Sequence, residues 1–264
     1  MGPLVSRVLP ARRKIVLNNI RAVLPGVTNE SCQKIAESFW RNIALTMLES
    51  LKATGFDAQR LKLCFVLENE EIIRNALALK KGVLLHTGHF GNWELAGYGL
   101  TLGGYPLCVL GRKQRNPYID RWLTNVRTRL GARILDHHQA VRETQQWLKS
   151  NGCLAILMDH NLYQGGIFVD FFGKPASSTT LTALLHLRLG SPIVGVYSYR
   201  RGDKHHIRFE TINVAPVGAE GLDRNEQAKK VTEILTHKIE DWVREDPANW
   251  LLGHDRWKRQ PETY

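Results

Sequence analysis

Two titratable side chains in the run GVLLHTGHFGNWELAGYGL, residues 82–100, have types and spacing suited to proton transfer: His89 and Glu94. An imidazole titrates near neutral pH, and a carboxylate beside it can hold one tautomer while the ring takes a proton from a hydroxyl. On one continuous helix five residues turn about 500°, which leaves the two side chains roughly 140° apart. They can face each other when His89 lies in a loop and Glu94 in the first turn of the following helix. The neighbouring residues predict that arrangement. Val83, Leu84 and Leu85 read as a strand buried on both faces, Asn92 as an N-cap, and Leu95, Ala96, Gly99 and Leu102 as the inner side of a helix. The turn then opens at the carboxyl end of a strand, where ligands bind in α/β sheets. A helix start there also offers backbone N–H groups, those of Gly91 and Asn92 among them, as candidates to hold an oxyanion.

Other groups fit the same chemistry. Asp159 follows the apolar stretch from Cys153 to Met158 and so also sits at a strand end, either as a site residue or as a loop cap; His160 comes next. Arg112 and Arg115 lie in the loop GRKQR, and Arg127 lies one turn before the end of a helix opened by Pro117. A guanidinium fork suits a phosphate, although each arginine taken alone also reads as a surface charge. Phe171 and Phe172 put much apolar surface into an expected loop, which suits an acyl-chain slot or core packing equally. His86 is an alternative base but reads as a hydrogen-bonded structural histidine. The pairs His137–His138 and His205–His206 lack metal-ligand spacing, so no metal and no cofactor is expected. No G-x-S-x-G motif supports a serine hydrolase.

The elements that must position these groups alternate along the chain. Helical patterns cover Arg12–Val23, a long stretch capped by Thr28 or Asn29 with Ile35, Phe39, Ile43, Met47 and Leu51 in line, and Glu68–Lys80. Past the central motif, strands are expected at Tyr105–Leu110, Ala132–Leu135, Cys153–Met158 and Ile193–Tyr199. Helices are expected from Pro117, at Gln139–Lys149 and at Thr179–Leu189, and again around Ala228–Trp242. On the Pro117 helix Ile119, Trp122, Leu123, Val126 and Leu130 repeat at helical spacing. A turn at Arg200–Asp203 makes an edge hairpin. This βαβ rhythm predicts one α/β domain over residues 1–264, with a mixed, mostly parallel sheet flanked by helices.

With 264 residues the chain can bury a substantial core. The net charge of +11 and pI near 9.7 imply an anionic partner. With no zinc-finger spacing, RNP aromatics or long basic block, nucleic acid is not the expected one. A hydrophobic share of 43% and a mean hydropathy of −0.26 suit a soluble or peripheral protein, and no window gives about 18 uninterrupted apolar residues for a span. Residues 1–27 contain a basic amphipathic segment, either an ordinary surface helix or a membrane contact. Trp40 is a second candidate for touching lipid. Cys32, Cys64, Cys108 and Cys153 lie far apart and read as buried thiols in a reducing compartment.

The His-x4-Glu of HFGNWEL resembles the signature of the lipid A biosynthesis lauroyl and myristoyl acyltransferases. The segment MDHNLYQGGIFVDFFGKPASSTTLTALL, from Met158 to Leu185, is similar to that family's Asp-Gln-Asn and Phe-Phe-Gly blocks, and PANWLLGHDRWKRQPE is similar to its closing pattern. Three blocks in order, from about Asn18 onward, make this specific. The resemblance implies a glycerolipid-acyltransferase-like fold in the lysophospholipid acyltransferase-like superfamily. It also implies an enzyme on the cytoplasmic face of the bacterial inner membrane, moving an acyl chain from an acyl-carrier-protein thioester to a hydroxyl of a lipid A precursor. His89 is then the general base and Glu94 its orienting partner. The family's Arg-x3-Gly pattern singles out Arg127 among the arginines as a substrate contact. Two departures stand out: His160 replaces the glutamine, and the N-terminal hydrophobic anchor common in the family is not seen here. Another glycolipid acceptor with acyl-CoA as donor, and a non-catalytic lipid-binding role on the same scaffold, remain as alternatives.

Overall fold

In the computed structural model, which describes residues 10–111, 116–136, 141–214 and 221–261, the expected alternation closes into a seven-stranded sheet with helices on both faces. Its strands are β1 (Phe65–Glu68), β2 (Val83–Thr87), β3 (Leu107–Gly111), β4 (Arg133–Asp136), β5 (Cys153–Leu157), β8 (Ile193–Arg201) and β9 (Lys204–Thr211); β6 (Ile167–Phe171) and β7 (Lys174–Ser178) form a separate hairpin. The helices are α1 (Pro10–Val23), α2 (Asn29–Ala53), α3 (Ala58–Lys62), α4 (Glu70–Ala78), α5 (Trp93–Leu102), α6 (Pro117–Thr128), α7 (Val141–Lys149), α8 (Leu181–Leu189) and α9 (Arg224–Glu245).

The order across the sheet is β1-β9-β8-β2-β5-β3-β4, and β8, β2, β5, β3 and β4 run parallel. β9 turns back antiparallel to β8, and β1 pairs parallel with β9. β1 lies in the stretch before the expected Glu68–Lys80 helix, and it places the β8–β9 hairpin one strand inside the edge. Because strand side chains alternate, β2 sends Val83 and Leu85 to one face and Leu84 to the other. The first two join Ile73 of α4, Ala96 and Leu100 of α5, and Phe209. Leu84 joins Val16 and Ile20 of α1, Phe39 of α2, and Val231, Leu235, Ile239 and Trp242 of α9.

Three expectations about surfaces change. The apolar side of α1 is spent in the core, with Val16 and Ile20 fully buried and Asn19 donating to the carbonyls of Leu252 and His254. Its described residues therefore turn their basic side outward rather than an apolar one. Trp40 is buried edge-on against Phe39. Conversely Met47 and Leu51, and Ile119 and Trp122 of α6, are exposed, and on α6 only Val126 of the expected stripe is buried. The Phe171–Phe172 region is hairpin, not loop: Phe172 and Gly173 both take positive φ, as the two-residue turn between β6 and β7 requires. Cys32, Cys64, Cys108 and Cys153 are free thiols, Cys64 being only partly buried.

Candidate active site

Strands β2 and β5 are neighbours in register, Thr87 opposite Leu157, so the chain leaves both at the same level and His89 comes beside Asp159. Two glycines make the close passage possible. A Cβ on Gly88 would lie 2.8 Å from the Phe90 ring and 3.1 Å from the Asp159 carboxyl carbon, and Gly91 turns at φ 55° against the Ser198 carbonyl. The C-terminal segment then clamps the loop. Leu251 N–H donates to the His89 carbonyl (3.0 Å), Gly91 N–H to the Asn249 carbonyl (2.9 Å), and the Ser198 hydroxyl to the Phe90 carbonyl (2.7 Å).

Asp159 is buried and accepts three hydrogen bonds: from His89 Nδ1 (2.7 Å) on one oxygen, and from His89 N–H (2.8 Å) and Trp250 Nε1–H (2.9 Å) on the other. Burial alone would raise its pKa, but the His89 charge and these hydrogen bonds hold it well below the usual carboxylate range. A charged acceptor at Nδ1 keeps the proton there and leaves the Nε2 lone pair free in neutral His89. This is the tautomer a general base needs.

The structure corrects the expected partner of His89. Glu94 lies in the first turn of α5, as expected, but its carboxylate is gripped by both prongs of Arg127, Nε at 2.9 Å and Nη2 at 2.6 Å, and this ion pair raises the Arg127 pKa. Arg127 therefore spends its fork on Glu94 instead of presenting it to a phosphate. Asp159, read from the sequence as either a site residue or a loop cap, faces the imidazole from inside. Arg112 and Arg115 lie outside the described residues. Gly91 N–H is already taken, so it is no oxyanion donor. Asn92 caps α5 through its side chain, which accepts from Leu95 N–H, and it also donates to Glu49 (3.1 Å). Phe171 is core, packed on Trp250 and Trp257, and half-buried Phe172 lies beneath Arg244. His86 is fully buried and stacked on Trp242, and burial pushes its pKa down to about 4 against the opposing pull of the Leu235 backbone beside it.

A carboxylate that holds an imidazole at the carboxyl edge of a parallel sheet serves many chemistries, and comparison with known sequences narrows them. The family model for bacterial lipid A biosynthesis acyltransferases matches residues 1–259. The chain belongs to this family. It is accordingly an O-acyltransferase, which requires an acyl donor and a lipid acceptor. The chain is 24% identical to the lipid A biosynthesis lauroyltransferase of Escherichia coli K12 over 99% of its own length and 84% of the relative's, and 23% identical to that organism's palmitoleoyltransferase over 99% and 83%. Similarity also reaches a phosphatidylinositol mannoside acyltransferase of Mycolicibacterium smegmatis, at 23% identity over 69% of this chain and 59% of that protein. Among the described residues of this family member no helix is long and apolar enough to cross a membrane. Asp159 and the Glu94–Arg127 pair were legible only as separate residues. That His89 pairs with Asp159 follows from β2 and β5 being neighbours, which no local spacing encodes.

Proposed function

We propose that the protein transfers a fatty acyl group from an acyl-carrier-protein thioester to a hydroxyl of a lipid A precursor, with His89 as general base. The 2.7 Å bond between His89 Nδ1 and Asp159 carries this reading, because it fixes the lone pair on Nε2. Nε2 takes the hydroxyl proton as the oxygen attacks the thioester carbonyl, and the tetrahedral intermediate forms. Its oxyanion is received at the start of α5, where the N–H groups of Asn92, Trp93 and Glu94 have no carbonyl within the helix to bond. Collapse breaks the C–S bond, and the imidazolium returns the proton to the departing thiolate. The Glu94–Arg127 pair ties α6 to this helix start and sets its position.

The test is acyl transfer by the purified chain, with acyl-carrier-protein and CoA thioesters offered in parallel and the lipid A precursor and a phosphatidylinositol mannoside as separate acceptors. H89A is expected to reduce transfer to a small residual rate. Wild-type activity in H89A would refute the base, and activity with CoA and a phosphatidylinositol mannoside alone would favour the second reading, which the similarity to the mycobacterial-type enzyme supports.

The site works at an anionic bilayer surface, on the cytoplasmic side of the inner membrane in this reading. Met47, Leu48 and Leu51 on α2 and Tyr118, Ile119 and Trp122 on α6 are exposed apolar side chains. They belong to the two helices that flank the His89 loop, α2 through Thr46 and Glu49, α6 through Arg127. Exposed Arg41, Lys52 and Arg121 lie on the same helices and complement anionic headgroups.

A further inference from the structure

Directly after Asp159, His160 lays its ring flat on His89: the centroids are 4.0 Å apart and the planes 7° from parallel. Its second stacking neighbour is His254, at 4.4 Å and 30°. Two rings cannot share one face of a five-membered ring at those separations, so His160 lies between them. Both its faces are covered by the neighbouring rings, although the residue as a whole is exposed. The far ring is pinned in turn. His254 Nε2 accepts the Asn161 N–H at 2.9 Å, so it carries no proton there, and burial pushes the His254 pKa down to about 3.

His89 has need of this support. The bond from Nδ1 to Asp159 holds one corner of a flat ring and leaves it free to rock about that bond, which would swing Nε2 away from the hydroxyl. Trp93 bears on the ring edge-on, at 5.2 Å and 70°. The flat face is held by His160.

We propose that His160 is a positioning residue for His89: braced from behind by His254, its ring fixes the plane of the base and lends π density to the imidazolium that forms when the hydroxyl proton reaches Nε2. The proposal rests on the reading of His89 as general base. A cation over a neutral aromatic face gains an amount equivalent to about twofold to thirtyfold in rate.

The test compares wild type, H160A, H160Q, H160F, H89A and the H89A/H160A double variant, as the full chain, with acyl-carrier-protein and CoA thioesters as donors and the lipid A precursor as acceptor. H160A is expected to lower kcat by about threefold to thirtyfold with KM within about twofold, and H160F, which restores a flat ring, to recover most of the loss. The double variant is expected to be no worse than H89A, because His160 acts through His89. Should H160A fail to melt cooperatively, the same outcomes are read on H160Q. A raised KM with unchanged kcat, a phenylalanine variant no better than the alanine one, or an extra loss in the double variant equal to that of H160A alone would each overturn the proposal. If H89A is inactive while H160A is fully active, only the role of His160 falls; if H89A is fully active, the general-base reading itself has failed.

Discussion

Replacing Asp159 with asparagine tests the site at its most constrained point, because the geometry dictates how the amide must sit. One carboxylate oxygen accepts both His89 N–H and Trp250 Nε1–H, and the other faces His89 Nδ1. The asparagine oxygen will take the position with two donors, since the reverse would leave two buried N–H groups against an NH2. The NH2 then points at Nδ1, which must accept, and the ring proton moves to Nε2. A base with a proton on its reacting nitrogen cannot take another. Loss of the working tautomer by the same substitution in a His–Asp pair costs about four orders of magnitude in kcat in serine proteases, and about three to four are expected here. Stability should fall by only about 1–3 kcal/mol, because two of the three hydrogen bonds keep their direction and the third is reversed, so that only the charge is lost. Asp159 is held below the usual carboxylate range, so its stabilising charge is fully present above the unfolded pKa of about 3.9 and is lost only as pH falls below that. Raising the assay pH cannot rescue the variant, because asparagine has no proton to lose and the neutral ring still carries its proton on Nε2. The assay is single-turnover acyl transfer beside a urea melt. A folded D159N retaining more than about a tenth of wild-type kcat would refute the pairing.

Further outcomes follow from the same geometry. R127A should cost about 1–3 kcal/mol by stranding a largely buried Glu94, R127K should recover little because an ammonium cannot make the two-pronged contact, and the E94A/R127A double variant should lose less in urea melts than the sum of the singles. His86 has a folded pKa near 4 against about 6.5 unfolded, so the unfolded state binds more protons between those values and stability falls as pH drops through that window. Urea melts at pH 7, 5.5 and 4 should show a loss on the order of 3 kcal/mol from this group, and a shallower slope in a folded H86F. Changing Met47, Leu51, Ile119 and Trp122 together to serine should reduce co-flotation with vesicles containing anionic lipid by at least about tenfold while leaving the melting temperature within a few degrees; undiminished flotation would remove this face from the membrane contact.

The sequence by itself determined the elements and the levels at which chemistry sits. Val83–Leu85 and Cys153–Leu157 are short apolar runs, read as buried strands and found as such, Asn92 is a cap whose side chain meets Leu95 N–H, and both His89 and Asp159 follow strand ends. Those are local properties, set by side-chain period and by which residues can satisfy a helix start. Which strands become neighbours is not local. Only the sheet order places β5 beside β2, bringing a carboxylate 70 residues away onto Nδ1, and only the packing of α6 against α5 turns Arg127 onto Glu94 and so takes that carboxylate from the imidazole. The tertiary structure likewise decided that the apolar side of α1 would be consumed by the core while Met47 and Trp122 stayed outside, because helical periodicity marks an apolar face without naming what will cover it.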